Sequence, residues 1–317
     1  MRLAGGAAAL PFLSHLARAE TYPNRPVRII VGFAAGGNFD IVARVIAERM
    51  AERLGQPVIV ENRPGASSNI AAEAAIRSPA DGYTVLLAGA VNAINATLYD
   101  KLNFNFAADI APVAGAVQFP NVMTVSASFP AKSVPEFIAY AKANPGKINH
   151  GSSGVGTSQH LAGELFKAAA GVSFTHIPYR GAPQALTDLL SGQVHVLFDA
   201  LPPTMPHIKS GAVRALAVTT PMRSEALPDT PAIAEFLPGY EASGWNGFCV
   251  PKNTPAPVIE TLNVAINESL RDPKVKARFA DLGAMALGGS PNDFGKLIVR
   301  ETEKWAQVIR AANIKVE

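Results

Sequence analysis

Two glycine loops are the stretches of this sequence best suited to chemistry. The first, Gly36-Gly37-Asn38, stands between the β-branched run Val27-Arg28-Ile29-Ile30-Val31 and a helical pattern that begins near Phe39. Backbone N–H groups in the first turn of a helix have no intrahelical partner. The helix dipole adds partial positive charge there, so such a loop favours an anion. Glycine lets a ligand come close to the backbone. The same residues also suit a plain strand-to-helix turn, and the loop alone does not decide between the two. Asp40 falls in the first helical turn, where capping or bracing the loop suits a carboxylate better than meeting an anion. The second loop is Gly151-Ser152-Ser153-Gly154-Val155-Gly156-Thr157, hydroxyls and glycines placed before another helix. Ser152, Gly154, Gly156 and Thr157 are its candidate contacts for a small carboxylate. His160, one turn into that helix, suits a structural role and a ligand contact equally.

Tyr179-Arg180-Gly181 follows a strand-like run and precedes a helix opened by Pro183. A tyrosine hydroxyl donates to a carboxylate without adding charge, which makes Tyr179 and Gly181 candidate site residues. Arg180 would bind more strongly, but a loop arginine is more often solvated. Asp199 ends the apolar run at residues 194–198 and is suited to cap, to hold water, or to bond a ligand hydroxyl or amine. Other chemistries fail on spacing. Thr157 follows Gly156 where a phosphate loop requires lysine, and three residues separate Gly32 from Gly36, which breaks the dinucleotide fingerprint. G-x-S-x-G and H-E-x-x-H are both absent. His150, His160, His176, His195 and His207 match no metal-binding spacing. Cys249 is the one cysteine and sits in the apolar stretch Gly247-Phe248-Cys249-Val250, the setting of a small buried hydrophobe. Neither catalysis, a cofactor nor a metal is expected.

The elements that must carry these loops follow an α/β grammar. Val42, Ile46, Met50 and Leu54 recur at four-residue spacing, with Ile41 and Val45 beside them, and Gly55 stops the helix. A strand at residues 58–60, a small-residue helix at 69–77 and a strand at 84–87 follow. This order suits a parallel sheet with helices on its faces. The grammar restarts with a strand at 122–126. Ser133-x-x-Glu136 then reads as a capping box, opening a helix that ends at Asn144-Pro145-Gly146. Further strands are expected near 148–150, 174–177, 194–198 and 213–218, and residues beyond the Pro-rich stretch 251–257 are expected to be mostly helical. The resulting expectation is two α/β lobes, the second inserted into the first, with lobe 1 at 20–121 and 249–317 and lobe 2 at 122–248.

Composition agrees with an ordinary folded protein. The chain has 317 residues, 48% hydrophobic and 17% charged, with a formal net charge of +3. Arg2 and Arg18 supply two of those charges within an acid-free start, and the remainder holds 26 basic against 25 acidic residues. With no basic stripe, a nucleic-acid partner is not expected. Met1-Arg2, the small apolar stretch at 3–16 and Ala17-Arg18-Ala19 read as a secretory leader over residues 1–19, cleaved near Ala19. The mature chain is expected in the periplasm.

Several stretches together resemble the receptors of tripartite tricarboxylate transporters, the Bug family. They are Arg25-Pro26-Val27-Arg28-Ile29-Ile30-Val31 with Gly36-Gly37 and Asp40-x-x-Ala43-Arg44, then Val60-Glu61-Asn62-Arg63-Pro64-Gly65-Ala66 and Asp81-Gly82-Tyr83-Thr84. Asn144-Pro145-Gly146-Lys147, His160-Leu161-Ala162-Gly163-Glu164-Leu165-Phe166, Pro178-Tyr179-Arg180-Gly181 and Arg214-Ala215-Leu216-Ala217-Val218 continue the match in the family's order. The resemblance implies a type II periplasmic-binding-protein fold that closes on a small organic acid. It also implies a large and a small membrane subunit as partners, and the receptor itself is expected to be a monomer. In such receptors the Gly36-Gly37 loop, the Ser152–Thr157 loop and the Tyr179 loop grip a carboxylate. Two stretches depart from the family pattern. Asn38-Phe39 stands where small polar residues are common, and Ala88-Gly89-Ala90 replaces a hydroxyl-bearing loop, with Asn92 and Asn95 nearby. Asn38 and Asn92 thus join the candidate ligand residues, and Phe33 and Phe39 become apolar walls that favour a longer or aromatic acid. Two other functions remain open at this level, a sensory module for a membrane kinase and a periplasmic α/β enzyme.

Overall fold

The computed structural model describes residues 22–99, 101–311 and 314–315. The leader expected over residues 1–19 lies outside them. The chain opens with β1 (Val27–Val31), α1 (Asn38–Leu54), β2 (Val58–Asn62), α2 (Asn69–Ile76), β3 (Thr84–Gly89), α3 (Ala90–Leu98), α4 (Phe106–Asp109) and β4 (Ile110–Phe119). It then builds β5 (Asn121–Ser126), α5 (Val134–Ala143), β6 (Asn149–Ser152), α6 (Ser158–Ala170), β7 (Thr175–Pro178), α7 (Ala182–Leu190), β8 (Val196–Ala200), α8 (Leu201–Lys209) and β9 (Val213–Val218). It returns with β10 (Gly244–Pro251), α9 (Ala256–Arg271), α10 (Pro273–Asp281), β11 (Met285–Gly288) and α11 (Pro291–Ala311).

Two sheets result, ordered β11-β4-β10-β3-β1-β2 and β7-β6-β8-β5-β9. In the first, β1 runs parallel to β2 and β3, while β10 enters antiparallel between β3 and β4. In the second, β6 runs parallel to β7 and β8, and β5 lies antiparallel between β8 and β9. In each sheet the strand that follows a chain crossing, β5 or β10, runs antiparallel to both its neighbours, and β11 also pairs antiparallel with β4 at the edge of the first sheet. The architecture is the two-lobed α/β fold that the sequence implies.

The strand-loop-helix units form for the reasons their residues suggest. Val42, Ala43, Ile46, Ala47 and Met50 bury one face of α1 against the sheet, and Gly55 ends the helix in the left-handed conformation at φ 64°. Thr157 caps α6 through its side chain, and Gly171 ends that helix at φ 62°. At the crossings, the Asn121 N–H donates to the Thr219 hydroxyl oxygen at 3.0 Å, and the Asn121 side-chain amide donates to the Ala242 carbonyl at 2.8 Å. These contacts brace the outgoing chain against the returning one.

The second crossing differs from expectation. All of Gly244–Pro251 belongs to the first sheet, so a division between residues 248 and 249 would cut β10. Sheet membership puts the return just before Gly244. Similarly, β5 starts one residue earlier than expected, at Asn121. Ala88-Gly89-Ala90 is not a loop, because β3 continues through Gly89 and passes directly into α3.

Candidate functional site

Four helices begin in the cleft between the lobes. Gly37, Asn38 and Phe39 at the start of α1, with Ala90 and Val91 at the start of α3, line it from the first lobe. Thr157, Ser158 and Gln159 at the start of α6, with Ala182 at the start of α7, line it from the second. Phe33, Phe119, Ser153 and Trp245 complete the walls of this cavity. Among the described residues, none that lines this cavity carries a charged side chain. This cavity therefore presents helix N-termini without a lysine or arginine in its own lining, an arrangement that attracts an anion by dipoles and N–H donors.

Phe33, Gly37, Asn38 and Thr157 are the sequence candidates that line the cleft. Phe33 and Phe39 pack with ring centroids 4.6 Å apart. The Asn38 side-chain amide donates to Asn246 Oδ1 at 2.7 Å. Asn38 Oδ1, Asn246 Nδ2 and Asn92 Nδ2 are buried without a protein partner, each a cost that a water or a ligand atom would relieve. Thr157 Oγ1 donates to the Gly154 carbonyl at 2.8 Å and accepts from the His160 N–H at 3.2 Å, so it both shapes the loop and caps α6.

The other candidates stand behind the lining and shape it. Asp40 accepts from the Gly36 N–H at 2.9 Å and from Arg44 at 3.0 Å. Burial opposes its charge, yet hydrogen bonds from Arg44, Gly36 and Asn62 outweigh that and hold its carboxyl below the ordinary value. Asn92 Oδ1 accepts from the Gly89 N–H at 3.0 Å and fixes the start of α3. Ser152 Oγ accepts from the Gly154 N–H at 3.1 Å and lies 2.6 Å from His176 Nε2. Of the two serines in this loop, Ser153 is the one that lines the cleft. His160 Nδ1 accepts from the Gly156 N–H at 3.2 Å, and its ring stacks on His176 at 4.0 Å. Burial pushes its pKa down to about 3 and that of His176 down to about 4. His160 is therefore a neutral clamp on the loop and does not line the cleft.

Tyr179 also lies off the cleft lining. Its hydroxyl donates to Asp188 at 2.6 Å, burial pushes its pKa up to about 12, and with Arg180 it lines an adjoining interlobe pocket that shares Phe33 and Ser153 with the first cavity. Gly156 and Gly181 serve the approach of the lobes. A Cβ on Gly156 would stand 2.5 Å from Asn95 Oδ1, and its φ of 78° already disfavours other residues. A Cβ on Gly181 would stand 3.0 Å from the Ala34 Cβ. Gly36, at φ 80°, faces Pro183 across the same junction. Asp199 is buried at the end of β8, accepts from the Ala200 N–H at 2.8 Å and takes a hydrogen bond from the Gln159 side chain. Burial pushes its carboxyl up to about 6.

Ala90 falls in the Ala88-Gly89-Ala90 departure noted in the sequence, whereas Val91, Phe119, Ser158, Gln159, Ala182 and Trp245 were not singled out there. Gly89-Ala90 shows no turn residue other than the glycine, so the start of α3 carries no cue. Trp245 had one available cue, an aromatic residue in a strand that returns between the lobes.

Two α/β lobes, two chain crossings and an uncharged cleft of helix starts together define a two-lobed solute-binding protein of the periplasmic type. A family model described as tripartite tricarboxylate transporter family receptor matches residues 42–314. The chain is similar to BugT of Bordetella pertussis, with 36% identity over 302 residues, 94% of this chain and 93% of BugT. It is also similar to Rpa4515 of R. palustris, solved with adipate, at 37% identity and a TM-score of 0.90, covering 93% of this chain and 99% of that one. MatC of Rhodopseudomonas palustris, solved with bound malate, matches at 31% identity and a TM-score of 0.87, covering 91% of this chain and 100% of MatC. The chain belongs to the tripartite tricarboxylate transporter receptor family.

Proposed function

We propose that this protein captures a small carboxylate in the interlobe cleft and delivers it to the large and small membrane subunits of a tripartite transporter. It does so in the periplasm, after export and cleavage near Ala19. The observation that carries this reading is the meeting of four helix N-termini in a cavity lined by no charged side chain. A partly buried helix end contributes up to about 2 kcal/mol to an anion. Several acting together attract a carboxylate strongly without an arginine, whose own burial would carry a desolvation penalty. The ligands of two relatives, adipate and malate, are both dicarboxylates, which supports an acid as the ligand here.

No catalytic step belongs to this reading. His160 and His176 are held neutral and engaged with the loop backbone or with Ser152. Cys249 is fully buried, and burial pushes its thiol far above the ordinary range. A thermal-shift screen of the purified protein against organic acids is the test. An acid at a hundred times its Kd raises stability by about 2.7 kcal/mol and is recovered chemically unchanged. Steady conversion of that acid, copurifying with the protein, would contradict the receptor reading.

A further inference from the structure

We infer that the cleft selects acids with an apolar body, an aromatic ring or an unbranched hydrocarbon chain, over compact hydroxylated acids. The inference rests on the carboxylate reading above and names the substrate class of that same site.

The walls carry it. Phe33, Phe39, Phe119 and Trp245 all face the cavity, together with the small apolar residues Ala90 and Val91. The one polar atom of the Trp245 ring is engaged elsewhere, because its Nε1–H donates to Glu301 Oε2 at 3.3 Å. The same carboxylate oxygen accepts from Trp305 Nε1 at 3.2 Å, and Phe294 packs edge-on against Trp245 at 5.6 Å. Glu301 is thus a positioning residue that fixes the indole and leaves a ligand only apolar ring surface. The Phe33–Phe39 pair forms a second aromatic surface of the same cavity.

Polar lining is confined to Asn38, Ser153 and the start of α6, and most of it is already engaged. Thr157 Oγ1 both donates and accepts within its own loop. Ser158 Oγ donates to Gln159 Oε1 at 3.4 Å, and the Gln159 side chain bonds to Asp199. The Asn38 amide donates to Asn246. Asn38 Oδ1 and the Ser153 hydroxyl are the lining side-chain groups left over, enough for about one polar contact each beside the helix-start N–H groups that hold the carboxylate. An acid with several hydroxyls would bury some of them without partners, an unfavourable transfer. A hydrocarbon body would gain apolar burial at the same place.

The test is calorimetric titration of the protein at pH 7 with benzoate, adipate, malate and citrate. Either benzoate or adipate is expected to bind at least tenfold more tightly than malate and citrate. Which of the two leads tells a ring site from a chain site. Phe39→Ser is expected to bring the ratio between apolar and hydroxylated acids toward one, and Phe39→Leu to leave most of it. Malate or citrate binding as tightly as the better of the two apolar acids would overturn the inference and leave the carboxylate reading standing. If none of the four binds at millimolar concentration, the carboxylate reading fails and the inference fails with it. The wild-type ratio decides the question even if a variant does not fold.

Discussion

Asp199 shows what a single buried residue costs the molecule and what it holds in place. Its carboxylate lies in the second lobe with hydrogen bonds from Ala200, Thr204 and Gln159 but no cationic partner among them. Burial raises its pKa from 3.8 to about 6. A carboxyl that binds its proton more tightly when folded favours the folded state most at low pH. That advantage is lost as pH rises from about 4 to 6, and a constant deficit remains above 6. Asp199→Asn is therefore expected to stabilise the protein at neutral pH by up to roughly 3 kcal/mol and to do little near pH 3.5. Denaturant unfolding of both proteins at the two pH values measures the difference. A variant less stable than wild type at pH 7 would show that the hydrogen bonds outweigh the desolvation of the charge. The sequence offered several roles for Asp199, since an aspartate ending an apolar strand suits all of them. Only its contact with Gln159, forty residues earlier in the chain, connects it to the cleft. His160 and Tyr179 carry the same lesson. Each sits in a loop or helix the sequence places correctly, but side-chain direction comes from packing against His176 and Asp188.

At the level of elements, β6, α6 and β7 bring His150, His160 and His176 together with ring centroids 4.0 to 5.4 Å apart. Burial lowers all three pKa values, to about 3 for His160 and about 4 for His176. A histidine kept neutral by the fold contributes stability that is complete above its ordinary pKa of 6.5. That contribution is lost as pH falls toward the folded value, because the unfolded chain takes up protons first. The protein is expected to lose stability steeply between pH 6.5 and 4. His160→Gln is expected to reduce that slope by about one proton, roughly 1.4 kcal/mol per pH unit, as read from unfolding midpoints along a pH series. An unchanged slope would contradict a neutral, clamping His160. The units that carry α1 and α6 were readable because a β-branched strand, a glycine loop and a 3.6-residue apolar period all agree. Other elements were hidden by their composition. Pro112 and Gly115 interrupt the pattern of β4, three prolines obscure α8, and α3 follows β3 with no intervening loop.

On the scale of the whole molecule, the cleft exists because the chain crosses between the sheets twice. Asn121, Thr219 and Ala242 tie the crossings together on one side. On the other, Gly156 and Gly181 let the lobes approach Asn95 and Ala34. This geometry turns four helix starts toward one small volume, which no local stretch of sequence reveals. The start of α3 is legible only once β10 is known to lie beside β3. In the proposed function this cleft recognises negative charge through backbone donors at the start of α1, just after Gly37, and at the other helix starts. Calorimetric titration of the best-binding acid against its own neutral amide, in wild type and in Gly37→Val, measures that directly. Binding of the acid near micromolar Kd, a loss of at least a hundredfold for the amide, and no measurable binding of the acid to Gly37→Val are expected. An amide that binds as tightly as the acid, or a Gly37→Val protein with wild-type affinity, would contradict this mode of recognition.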